Sequence, residues 1–212
     1  MDEQLNTPKS GFTGGAFANF FIGLACGLVT IITIGLAGPF MQCWRRRWEC
    51  RHTFYDGKQL AFNGTGLQLF GIYIKVVLLS LITLGIYYWL CGNVVMMKWY
   101  TKHTQFVGET AESNFDGTWY ELFAVNFLTT FITIITLGLG SFWAHCFMCR
   151  WECKHQTISA HKLTFDGTAW QYFGTCIKWI LLTIITLGIY SFWRVVKEMN
   201  WTCKHIHLQT QA

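Results

Sequence analysis

Thr164-Phe-Asp-Gly-Thr-Ala-Trp-Gln-Tyr-Phe173, with the apolar run after it and the Thr186-Leu-Gly-Ile-Tyr190 that ends the run, decides how this chain is read, because the stretch occurs four times. The first aromatic of each copy is Phe12, Phe62, Phe115 or Phe165, at intervals of 50, 53 and 50 residues. The glycine closing each run, Gly35, Gly85, Gly138 or Gly188, follows its aromatic by 23 residues in every copy. A spacing held four times marks internal repetition. The copies also pair. Copies one and three share Trp-Glu-Cys-basic-His at Trp48 to His52 and Trp151 to His155. Copies two and four share Gly-Ile-Tyr and a lysine, Lys75 or Lys178, 13 residues after the aromatic. A two-repeat unit that was duplicated, with a pseudo-twofold between residues 11–107 and 114–212, accounts for both patterns. The repeats then run 11–60, 61–113, 114–163 and 164–212, after a polar tail over 1–10 that is expected to be mobile.

Composition narrows the class. Of the 212 residues, 52% are hydrophobic, 17% aromatic and 13% charged, against about 25% charged in an ordinary globular domain. Eleven Trp and 18 Phe suit a protein with interfacial aromatics. Met1 to Ser10 is polar and has no basic flank leading into an h-region, so a cleavable signal is not expected and the run from Ala16 reads as a first span. Nine cysteines in or beside apolar segments read as reduced, buried residues rather than a disulfide framework. The net charge of +5 sits in residues flanking the apolar runs, and no basic face interleaved with aromatics suggests nucleic acid.

The helix starts are explicit. Thr65-Gly-Leu-Gln68, Thr118-Trp-Tyr-Glu121 and Thr168-Ala-Trp-Gln171 fit Ser/Thr-x-x-Glu/Gln, the capping box, whereas copy one has Gly15 and Ala18. Cap to glycine is about 20 residues, or roughly 30 Å of helix, one hydrocarbon thickness. The basic residues cluster after each following segment: Arg45, Arg46, Arg47 and Arg51; Lys98 and Lys102; Arg150 and Lys154; Arg194, Lys197 and Lys204. Hairpins place all of them on one side. The linkers read as strands, with an Asp56-Gly57 turn between apolar arms, Ser159-Ala-His161 at a second turn, and a last strand over His205 to Gln209. The expected fold is therefore an all-α membrane protein of four tandem helical hairpins in pseudo-twofold pairs, with short β-hairpins between repeats.

The motif Phe-x-Gly-x-x-x-x-x-Phe, followed by Thr-Leu-Gly-Ile-Tyr-x-x-Trp, basic residues and a Thr-containing hairpin, resembles the YjgN-like family of bacterial inner-membrane proteins. The resemblance is clearest over Phe165 to Trp193, and copy one departs from it with Ile34-Gly-Leu-Ala-Gly-Pro-Phe40. It implies a multi-pass inner-membrane location with cytoplasmic termini and supplies no activity, the family being a domain of unknown function.

Three sets of residues are candidates for function. Lys75 and Lys178 fall near the middle of their helices, where a buried charge is costly and points to a cavity. With Tyr87 and Tyr190 they would form a central polar site, or they would snorkel to a surface. Thr30 and Thr33, Ser80 and Thr83, Thr133 and Thr136, and Thr183 and Thr186 place two hydroxyls on one face of each helix. They would line a pathway, bond between helices, or bond back to their own carbonyls. Cys149, Cys153 and His155 have ligand chemistry, but no Cys-x-x-Cys pair meets a second, so neither metal nor cofactor is expected. No nucleophile triad, paired carboxylate or phosphate loop is present, so the chain is not read as an enzyme. The expectation is a channel- or carrier-like protein around the two lysines. The alternative is a structural or assembly protein that binds lipid, copies of itself or other membrane subunits through aromatic surfaces and strand edges.

Overall fold

The computed structural model describes residues 9–209, the side chain of Trp89 excepted; residues 1–8 of the tail expected to be mobile lie outside that range. Each copy contributes an outgoing helix and a return helix. The outgoing helices are α1 (Ala16–Ile32), α3 (Gly66–Ile82), α5 (Trp119–Ile135) and α7 (Ala169–Ile185), and the return helices are α2 (Gly38–Arg51), α4 (Asn93–Lys102), α6 (Ser141–His155) and α8 (Ser191–Lys204). A π-helical turn at Tyr88–Gly92 leads into α4. Helix α1 rests on α8 as well as on α2, the π-helical turn touches α3 and α5, and α7 meets α8 through Tyr172 and Glu198.

Two antiparallel four-stranded sheets close one end. The first orders β1 (Gly11–Phe12), β2 (Thr53–Tyr55), β3 (Lys58–Phe62) and β4 (Thr104–Phe106); the second orders β5 (Asn114–Phe115), β6 (Gln156–Ile158), β7 (His161–Phe165) and β8 (Ile206–Leu208). Phe12 faces Thr53 as Phe115 faces Gln156, and Phe62 faces Thr104 as Phe165 faces Ile206, so the two sheets share one register. Asp56 and Gly57 make the β2–β3 turn at φ 47° and 81°, and Ser159 and Ala160 make the β6–β7 turn at 46° and 66°. Both are two-residue turns with two positive φ angles, the twist that suits a tight hairpin.

This overturns the all-α multi-pass reading. Two sheets are present, and among the described residues no helix is long and apolar enough to cross a membrane. The physical reason lies at the hairpin tips. Counting from cap to glycine gave about 20 residues, but each outgoing helix has 17. It stops at a threonine C-cap because the next two residues turn left-handed: Ile34–Gly35, Leu84–Gly85, Leu137–Gly138 and Leu187–Gly188. Seventeen residues extend only about 25 Å, and each return helix carries charge along its later turns. The multi-pass inner-membrane location inferred from such spans falls with them.

The capping residues act as their spacing predicts. Thr65 and Thr168 accept from the amides of Gln68 and Gln171, whose side chains accept from the cap amides. The Glu121 carboxylate accepts from both the amide and the hydroxyl of Thr118. Gly15 offers α1 no side-chain cap. Thr168→Ala is expected to cost about 1 kcal/mol, read from urea unfolding, whereas Gly15→Ala removes no such bond.

The repeated aromatics pin strands to return helices. Phe12 meets Trp48, Phe62 meets Trp99, Phe115 meets Trp151 and Phe165 meets Trp201, edge to face at centroid distances of 5.6, 5.7, 5.7 and 6.0 Å. The glycine two residues after each Phe lies under both rings, and a Cβ there would stand 2.4–2.5 Å from the Phe ring. Phe-x-Gly and Trp-x-x-x-His are thus parts of one packing unit, with His52, His103, His155 and His205 against the same tryptophans.

Candidate functional site

The end opposite the sheets consists of the four tips. At each, a non-glycine residue holds φ near +50°: Ile34, Leu84, Leu137 and Leu187. A left-handed conformation costs an L-residue with a Cβ roughly 1–2 kcal/mol. These four side chains are nevertheless 92–95% exposed, so no packing within the chain offsets the strain. Ile32, Ile82, Ile135 and Ile185, each two residues earlier, are exposed as well.

The polar atoms of the tips are satisfied internally. The amides of Gly35, Gly85, Gly138 and Gly188 bond to the carbonyls of Thr30, Ser80, Thr133 and Thr183 at 2.6–2.8 Å. Thr33, Thr83, Thr136 and Thr186 each donate to the carbonyl four residues back, at 2.7–2.8 Å. Their hydroxyl oxygens accept from the amides of Ala37, Tyr87, Gly140 and Tyr190 across the turn. Thr30, Ser80, Thr133 and Thr183 likewise donate to carbonyls four residues back. The hydroxyl row therefore closes the tips.

Lys75 and Lys178 are exposed midway along α3 and α7 and make no hydrogen bond or ion pair with the described residues. Tyr190 accepts instead from Lys197 Nζ at 2.6 Å, and the Tyr87 amide is held by Thr83. The structure does not gather these four into one polar site. Nor does it gather the thiol and imidazole candidates. Cys149 and Cys153 face a cavity, while His155 Nδ1 contacts the Asp116 carboxylate at 2.7 Å. Among the described residues no group of three or more His, Cys, Asp or Glu side chains is placed to hold a metal.

That cavity, about 500 Å³, lies between the two halves, walled by all four return helices and by strands of both sheets. The residue after each repeated tryptophan lines it: Glu49, Tyr100, Glu152 and Thr202. Two residues before the first three tryptophans stand Arg46, Met97 and Cys149, which line it too. Aligning the copies on tryptophan exposes this inward row, a signal available in the sequence. Anchoring on the first aromatic hid it, because copy two has one extra residue before its tryptophan.

The electrostatics of the cavity are uneven. Arg45 Nε bonds to Glu49 at 2.9 Å, whereas Arg46 Nη1 reaches the same carboxylate only at 3.5 Å. Arg46 Nε is buried without an acceptor, and its guanidinium lies 5.7 Å from the centre of the Tyr100 ring. Arg46 lines the cavity, and 40% of its side-chain surface is accessible. Burial pushes the Glu152 carboxyl up, with Arg46 opposing. Burial also pushes the Cys153 and Cys203 thiols up to about 12, and Cys149 further still. These three are expected to resist iodoacetamide in the native protein at mildly alkaline pH, because the thiolate is the reactive form, and to react fully on unfolding. Mass spectrometry of alkylated peptides checks this.

Residues 160–212 match a family described as "Bacterial protein of unknown function (DUF898)". No curated protein and no solved structure matches the chain.

Proposed function

We propose that this chain is a lipid-binding protein that seats its four hairpin tips in the apolar part of one leaflet, without crossing it. The observation that carries the reading is the strained, fully exposed Ile or Leu at every tip. Strain that recurs without an internal reward is the kind that function explains. Two further features favour lipid hydrocarbon over a protein partner as what covers it. Every tip amide and hydroxyl named above is bonded within its own hairpin, and an unmet polar group would cost most in hydrocarbon. No Asp, Glu, Lys or Arg occurs over residues 10–44, 76–97, 122–149 or 179–193, the stretches that carry the tips.

Lys75 and Lys178 set the depth. Each lies nine residues before its tip leucine, about 14 Å of helix, close to one leaflet of a hydrocarbon core about 30 Å thick. The lysines then reach the headgroups while the leucines reach the acyl chains. The YjgN-like resemblance, which runs over nearly the whole chain, is consistent with the DUF898 match over residues 160–212, one copy of a unit present four times.

The test is flotation of the purified protein with phosphatidylcholine vesicles, with and without phosphatidylglycerol, after Cys26 and Cys91 are replaced by serine. A nitroxide on Leu187→Cys is expected to enter a water-excluded environment on binding, and one on Lys162→Cys to remain wet. An impermeant reagent inside the vesicles is expected to reach neither. Failure to float, a wet label at Leu187→Cys, or labelling from the inside overturns the reading. Self-association that buries the tips without lipid would instead identify a second copy as the occupant.

A further inference from the structure

We infer that the cavity between the halves is a binding site for a small amphipathic oxyanion, whose carboxylate or phosphate head is held by Arg46 and whose hydrocarbon body lies against Leu60, Met97, Ile158 and Ile206. The site is separate from the tips and does not depend on their lipid binding. Four observations carry it. The volume of about 500 Å³ is that of an ordinary small-ligand site, about 300–1,000 Å³. The wall is mixed, apolar side chains from both sheets and α4 facing charged side chains from α2 and α6. Among the polar groups, most are already matched. Glu49 is taken by Arg45, the Tyr100 hydroxyl donates to Gln42 at 2.7 Å, and the Gln156 amide donates to Thr101 at 3.2 Å.

Arg46 is the exception. Its guanidinium makes one long hydrogen bond, to Glu49 at 3.5 Å, and a guanidinium edge binds a carboxylate or phosphate through paired N–H donors. The acid that could neutralise it from across the cavity is Glu152. That carboxyl makes no hydrogen bond to a described residue, and burial favours its neutral form. Glu49 is bonded by Arg45, which leaves the Arg46 donors free to meet an anionic head.

The experiment is titration calorimetry of the purified full chain with decanoate, decyl phosphate, decanol and decyltrimethylammonium. Decanoate or decyl phosphate is expected to bind one per chain, and the tighter of the two identifies the head. Arg46→Met is expected to weaken that binding at least tenfold and to leave the weaker binding of decanol unchanged. Equal binding of decanol, preference for decyltrimethylammonium, or an unaffected Arg46→Met overturns the site. Should Arg46→Met fail to fold by circular dichroism, Met97→Trp, which fills the cavity and leaves every charge in place, takes its role. Retained tight binding in that folded variant overturns the site equally.

Discussion

A variant carrying Ile34→Asn, Leu84→Asn, Leu137→Asn and Leu187→Asn is expected to lose flotation with lipid vesicles while its fold becomes more stable. The two effects have separate causes. Each of these side chains is 92–95% exposed, so burying one in hydrocarbon contributes about 1.5–3 kcal/mol. Four contribute about 6–12 kcal/mol, which is at least a thousandfold in partitioning. Within the chain the same residues are a cost, since φ is near +50° at all four. Asn tolerates that region better than Leu or Ile, so urea unfolding is expected to show a gain of up to about 1 kcal/mol per site. A tip whose role is packing within the chain would give the reverse, lower stability with lipid binding intact.

The second large effect is expected at Gly167. An alanine Cβ there would lie 2.5 Å from the Phe165 ring and 3.0 Å from Trp201. The rings are pinned between β7 and α8, so the clash is relieved only by moving a strand or a helix. Overpacking of this kind costs about 1–3 kcal/mol, and the upper part of that range is expected because backbone must shift. Gly174→Ala, in α7 with nothing within 4 Å of the new Cβ, is expected to move stability the other way by about 0.5–1 kcal/mol. Denaturant midpoints of the two variants, on opposite sides of the parent, check the pair. If Gly167→Ala leaves the midpoint unchanged, the packing unit formed by Phe-x-Gly and tryptophan has been assigned too much rigidity.

Much of this was legible because it is local. A threonine three residues before Gln or Glu specified three helix starts, and Asp56-Gly57 specified a two-residue turn whose backbone adopts the required angles. The 103-residue spacing between copies one and three recurs in the strand pairing, where Phe12 with Thr53 and Phe115 with Gln156 take the same register. What failed depends on chain direction and on distance. The glycine at each tip marks the end of an apolar run, but the residue before it already turns left-handed, and Leu and Ile give no sequence warning of that. The missing turn of helix separates a span from a hairpin that stops short of one. Lys75 and Lys178 drew notice because charge inside an apolar run is rare, yet their exposure depends on which helix face is free. Arg46, Glu49 and Glu152 were hidden among basic residues counted only for their sidedness. Their convergence on one cavity is set by how the four return helices close around it.

That closure has a topological consequence. The hydroxyl of Ser10 donates to the carbonyl of Ile206 at 3.1 Å, the Gly57 amide donates to the carbonyl of Lys9, and α1 rests on α8. The two ends of the described chain therefore meet on the same strands, and the seam between last copy and first resembles the seams between the others. Opening the chain between Thr110 and Ala111, and joining residue 209 to residue 9 with a short peptide, would leave every strand pair and every helix contact named above in place. The order of the copies along the polypeptide is thus a matter of where the ring was cut, and a circular permutant beginning just ahead of the third copy carries the same instructions for folding.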